Sequence, residues 1–140
     1  MKEKLEEIEK LVNQTEVDII RLQNLFSTFL KQHLKGLIIE DYIGEYPTFM
    51  EPVILGKNVK IGDDVLIGPS VYIGNNSEIG NYAELSNTIV FDGVKVGENF
   101  KLDKCIVVKN SKLNFNNSNI KNCILKGSAN SEKELLKIYF

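Results

Sequence analysis

The 140-residue sequence predicts an all-β solenoid with helical ends, and three observations carry that prediction. An aliphatic or aromatic residue returns every sixth position from Leu37 to Leu85, by way of Ile43, Phe49, Leu55, Ile61, Ile67, Ile73 and Ile79. Gly44, Gly56, Gly62, Gly68, Gly74 and Gly80 each stand directly after one of those positions. On either side of the repeat the apolar spacing changes to one that suits helices. A period this short belongs to a unit that cannot bury its own face and must stack on copies of itself.

Residues 1–35 are expected to form a long amphipathic helix. Leu5, Ile8, Val12, Thr15, Ile19, Leu22, Phe26, Phe29 and His33 alternate three- and four-residue spacings, which is a coiled-coil seam. Lys2, Glu6, Glu7, Glu9 and Lys10 solvate the outside, while Leu11, Leu25 and Leu30 widen the apolar face. Two arrangements satisfy this seam. Three copies of the helix could meet near a common axis, or one helix could lie back along its own solenoid. Gly36 supplies the residue that ends the helix.

Residues 36–127 form the solenoid. Three six-residue steps make a coil of about eighteen residues, so about five coils fit. One column of equivalent positions runs Leu55, Ile73, Val90, Val107, Leu125, and two others run from Ile61 and from Ile67. A second inward position follows four residues later, as at Val59, Val65, Val71, Ser77, Ala83, Val94 and Phe100. The steps from Leu85 to Val90 and from Leu102 to Val107 are one residue short. Corner triplets such as Gly-Lys-Asn, Gly-Asp-Asp and Gly-Asn-Asn contain residue types that tolerate tight or positive-φ conformations. Tyr42, Tyr46, Phe49 and Met50 are expected to plug the first coil. Asn114, Asn116, Asn117, Asn119 and Asn122 suggest a longer last corner with local side-chain hydrogen bonds.

Residues 128–140 are expected to close the far end. Ser131-Glu-Lys-Glu134 matches a capping box, and Leu135, Leu136, Ile138 and Phe140 follow it. The expectation is a short C-terminal helix over a sheet edge that would otherwise invite association.

The stretch from Val53 to Asn76 resembles the hexapeptide-repeat, left-handed β-helix family. That resemblance, and not the periodicity, implies the left hand, against the usual right-handed crossover. Ser86-Asn-Thr-Ile-Val-Phe-Asp-Gly-Val-Lys-Val-Gly97 is similar to the shortened turn in C-terminal domains of sugar-1-phosphate nucleotidyltransferases. The bifunctional enzymes that make UDP-N-acetylglucosamine are the nearest likeness, over roughly residues 36–126. The resemblance implies a homotrimer and two functional readings. One is a β-helix module, without the nucleotidyltransferase domain, used for assembly or for binding a nucleotide sugar. The other is an acyltransferase that takes acetyl-CoA or another acyl-CoA as donor and works between subunits.

The residues limit both readings. A net charge of −2 gives no basic footprint for nucleic acid. No run suits a membrane span or a signal peptide, so a cytoplasmic protein is expected. The charged N-terminal helix stands where nucleotidyltransfer would need a glycine-rich phosphate loop. A single histidine cannot supply the three-His metal site of the related γ-class carbonic anhydrases, and no metal ligands are expected. His33 is therefore the one histidine candidate for a general base, against the plainer reading of a helix-end side chain. Lys101, Lys104, Lys109 and Lys112, with Lys121 and Lys126, are candidates for the CoA phosphates, against the plainer reading of a solvated face. Cys105 and Cys123 stand at equivalent positions on successive coils. Reduced core thiols and a disulfide both fit that spacing.

Overall fold

A computed structural model describes residues 1–140. The expected parallel β-solenoid is present, with short strands on three faces. The first face stacks Leu37–Ile39, Val53–Leu55, Val71–Ile73 and Thr88–Val90, and continues through the second halves of Phe100–Val107 and Ser118–Lys126. The second face stacks Tyr42–Ile43, Val59–Ile61, Glu78–Ile79, Lys95–Val96, Lys112–Leu113 and Ser128–Ala129. The third stacks Thr48–Phe49, Leu66–Ile67 and Glu84–Ser86 on the first halves of those two long strands. Five coils are complete and a sixth is begun.

The predicted columns fill the prism. Leu55, Ile73, Val90, Val107 and Leu125 are each at most 1% exposed, as are Ile67, Leu85 and Leu102. Within the shortened coils, hydroxyl groups replace missing partners. Ser77 Oγ donates to the Phe91 carbonyl at 3.1 Å and accepts from Val94 N at 3.2 Å, while Thr88 Oγ1 donates to the Ser86 carbonyl at 2.7 Å. No buried side-chain polar atom is left without a partner.

The corners divide their work between two residue types. The left-handed conformations fall mostly on the second residue after the glycine: Asn58, Asp64, Ser70, Asn76, Tyr82 and Asn99 all have φ between 53° and 63°. Glycine is needed for a different reason, shown by Gly74. A Cβ there would meet Asp92 Oδ1 and lie 2.7 Å from Asp92 N. That oxygen accepts from Asn75 N at 2.8 Å, and the same bond recurs from Lys57 N to Asn75, Asp63 N to Asn81 and Glu98 N to Asn116. Asn116 and Asn117 therefore bond to the preceding coil, not locally as expected; Asn117 Oδ1 accepts from Asn99 Nδ2 at 2.9 Å.

Two details of the ends differ from expectation. The N-terminal segment is two helices, α1 (Lys2–Val12) and α2 (Ile19–Thr28), the second running into a π-helical turn at Phe29–His33. Asn13 donates its amide to the Glu9 carbonyl as α1 ends, and Asp18 caps α2 by accepting from Arg21 N at 3.2 Å. The reason is length. A straight helix of 33 residues would span about 50 Å, whereas six stacked strands span about 24 Å. A helical hairpin fits that face and a rod does not. At the other end, Glu132–Glu134 is a single 3₁₀ turn, and Leu136–Tyr139 is a strand that pairs antiparallel with Cys123–Lys126. Pairing a bare strand edge satisfies its backbone groups, which a helix laid across it would not.

Both helices lie on the first face, the second of the two arrangements open from the seam. Leu5, Ile8, Leu11, Val12, Leu22, Phe26, Phe29 and Leu34 bury against the outward residues Ile54, Ile89, Phe91, Ile106, Val108 and Ile124. Tyr72 completes the outward row and meets the Phe29 ring edge-on at 6.1 Å. At the open end, Tyr42 and Phe49 plug the first coil as a T-shaped pair at 5.7 Å, while Tyr46 and Met50 stay exposed.

Candidate functional site

Between the third and first faces one corner residue per coil stands above the next: Pro52, Ser70, Asn87, Lys104 and Asn122. Ser70, Asn87, Lys104 and Asn122 all take positive φ, with values of 63°, 48°, 55° and 57°. Asparagine accepts that conformation readily. A lysine does so at a cost of about 1 kcal/mol, so the side chain at Lys104 is held there against a local preference.

Facing this column is one side of α2 and the turn that follows it. Gln23, Phe26, Ser27, Leu30, Lys31 and Leu34 recur at three- and four-residue spacing and form the opposite wall, with Phe140 at one end. From residue 23 to 34 a helix advances about 16 Å, close to the roughly 19 Å covered by five stacked corners. The two walls enclose a cleft of about 690 Å³, within the 300–1,000 Å³ typical of small-ligand sites.

The lining has three chemical parts. Phe26, Leu30, Leu34, Pro52 and Phe140 give an apolar floor, with the Phe26 and Phe140 rings edge-to-face at 5.6 Å. Gln23, Ser27, Ser70, Asn87 and Asn122 offer neutral donors and acceptors. Lys31 and Lys104 are both exposed, and no Asp or Glu side chain lines the cleft. The two ammonium groups favour an anion, offset in part by Asp103, whose carboxylate accepts from the lining Asn87 Nδ2 at 3.0 Å.

The structure separates the lysines that the sequence groups together. Lys104 alone reaches the cleft. Lys101 points from the third face to Glu84 at 3.6 Å, and Lys112 donates to the Gly93 carbonyl on the second face. Lys109 lies exposed at the corner between the first and second faces, and Lys121 borders a smaller hollow with Glu132, Lys137 and Tyr139. Lys126 is half-buried at the edge paired with Leu136. His33 stacks on the Phe29 ring, 6.3 Å away and 22° inclined, outside the cleft lining.

Lys31, Gln23 and Ser27 went unmarked in the sequence reading. Their signal was the polar stripe Gln23, Ser27, Lys31 at four-residue spacing beside the apolar seam. Cys105 and Cys123 are register partners with buried, free thiols. The Cys105 thiol is pushed well up, first by its hydrogen bond with Cys123 and then by burial. No cluster of three or more His, Cys, Asp or Glu is arranged to hold a metal ion, and no helix is long and apolar enough to cross a membrane.

Comparison with known proteins adds one result. A family model described as the GMPPB C-terminal domain matches residues 49–137, from the third face of the first coil to the C-terminal strand. No curated protein matches the chain.

Proposed function

This chain belongs to the GMPPB C-terminal domain family, and from that premise we propose that it is a nucleotide-sugar-binding β-helix module related to the sugar-1-phosphate nucleotidyltransferases. The cleft between α2 and the corner column is its site. The carrying observation is the cleft's lining: two lysines, no Asp or Glu among the lining residues, and apolar and neutral polar surface beside them.

The chemistry of a nucleoside diphosphate sugar fits each part. Lys31 and Lys104 meet the diphosphate, with the ammonium groups acting as mobile point charges. Phe26, Leu30 and Leu34 take the flat faces of base or sugar, and Asn87, Asn122, Gln23 and Ser27 exchange hydrogen bonds with hydroxyl groups. Assembly as a homotrimer belongs to the same reading. The apolar seam that could have formed a three-helix axis is already spent against the first face, so a trimer would use the other surfaces. A cytoplasmic setting agrees with free thiols at Cys105 and Cys123.

Acyl transfer is the competing reading, because acetyl-CoA also joins phosphates to an apolar arm and suits the same lining. Thermal melting with UDP-N-acetylglucosamine, sugar phosphates, CoA and acetyl-CoA separates the two. The nucleotide sugar at about one hundred times its dissociation constant is expected to stabilise the chain by about 2.7 kcal/mol. Lys31→Ala combined with Lys104→Ala should weaken binding at least tenfold. A shift with CoA compounds alone transfers the site to the acyltransferase reading, with His33→Ala as its next test. No shift with any of the four overturns both.

A further inference from the structure

The two ends of the solenoid are finished differently. At the far end Leu135 is buried, and the strand Leu136–Tyr139 covers the last edge of the first face. At the near end Leu37–Ile39, Tyr42–Ile43 and Thr48–Phe49 are each terminal in their sheets and pair only with the second coil. The helices, which could have lain across this end, turn aside onto the first face. All three strand edges are left open.

The side chains here are those of an interior. Leu37 and Ile38 are 45% and 55% exposed, whereas their register partners Val53 and Ile54 are 0% and 6% exposed. Ile43, Met50 and Tyr46 are exposed as well, so half of the ten exposed large apolar residues of the chain lie between positions 37 and 50. Such a concentration of apolar surface beside unpaired backbone groups marks an interaction surface.

Charge selects the occupant. Glu40, Asp41, Glu45 and Glu51 are exposed around this end, and residues 36–51 contain no Lys or Arg. A second copy approaching end to end would set these four carboxylates against four more, which disfavours self-association. We infer that the open first coil receives an extended strand of a partner protein beside Leu37–Ile39, apolar on the side shared with Leu37 and Ile39 and carrying lysine or arginine on the alternate side toward the acidic rim. Strand addition supplies the backbone bonds, and charge sets the choice of partner.

An eight-residue peptide of alternating lysine and valine is the probe, with the glutamate–valine counterpart as control, added to the full chain. Hydrogen exchange should show the basic peptide slowing exchange at residues 37–49, and the acidic peptide leaving it unchanged. The variant Glu40→Lys/Glu45→Lys/Glu51→Lys, its folding verified by thermal melting, should bind the basic peptide at least tenfold more weakly. Equal binding of both peptides, slowed exchange elsewhere, or none at 37–49 overturns the inference. So does a concentration-dependent dimer that Ile38→Ser dissolves, since a second copy would then be the occupant. Failure of the nucleotide-sugar reading leaves this test untouched, because the cleft and the open coil share no residue.

Discussion

Gly74 and Asp92 lie a coil apart yet must be chosen together. The glycine leaves the space that the aspartate oxygen occupies when it accepts from Asn75 N. Gly74→Ala is expected to cost about 1–3 kcal/mol, because the new Cβ meets backbone as well as side chain and the coils must part to admit it. Asn75→Ala should cost about 1 kcal/mol, the worth of the 2.8 Å bond from Lys57 N. Urea titration of the two variants measures both losses; a Gly74→Ala chain as stable as the parent would contradict the steric account. The sequence showed that these corners need special residues. It did not show which residue does what, because φ and the contact a coil away are both invisible in a hexapeptide read alone.

At the scale of elements, the helical hairpin and the C-terminal strand each cover something. The middle residues Ile54, Tyr72, Ile89, Ile106 and Ile124 would form a continuous apolar strip without α1 and α2. Deleting residues 1–35 should therefore produce strong binding of a hydrophobic dye and concentration-dependent association, followed by light scattering; a dye-silent monomer would show that the helices are not the cover. This strip was legible in advance. On the other faces the middle residues are charged or polar at Lys60, Glu78, Lys95, Glu84, Lys101 and Asn119, with Ile43 and Leu66 the exceptions, and only the first face is apolar there at every level. The break between α1 and α2 was less legible, since a heptad seam continues through Thr15 without regard to the length of the face beneath it.

The C-terminal strand is held partly by the ion pair of Glu132 and Lys137 at 3.2 Å. Hydrogen bonding from Ser118, then from Lys137, holds the Glu132 carboxyl below its ordinary value of 4.5. A carboxylate depressed on folding stabilises fully above that ordinary value, and the contribution disappears as pH falls through the lowered one. Glu132→Gln should therefore lose about 0.5 kcal/mol at neutral pH and nothing in strong acid, because the Glu132 carboxylate is exposed to solvent. Stability curves of both proteins against pH provide the check; a constant difference down to low pH would contradict it.

At the scale of the whole molecule, winding decides which residues are neighbours. Lys101, Lys104, Lys109 and Lys112 look like one patch on paper, but within a single coil they belong to the third face, two successive corners and the second face. Lys104 shares its surface with Asn87 and Asn122, one coil away on either side. The fold was thus readable from a period, whereas the cleft was not. Half of its wall comes from α2, and no period in the coils says where a helix outside them will rest.

The same winding has a mechanical consequence. Hydrogen bonds between coils run along the long axis, so tension on a bare stack would open it one layer after another. Here α2 reaches the far layers, and the Phe26 and Phe140 rings meet at 5.6 Å. Tension between those two segments falls first on the aromatic contact and the helical hairpin. The layers share that load with the clasp and carry it alone only once the clasp has slipped.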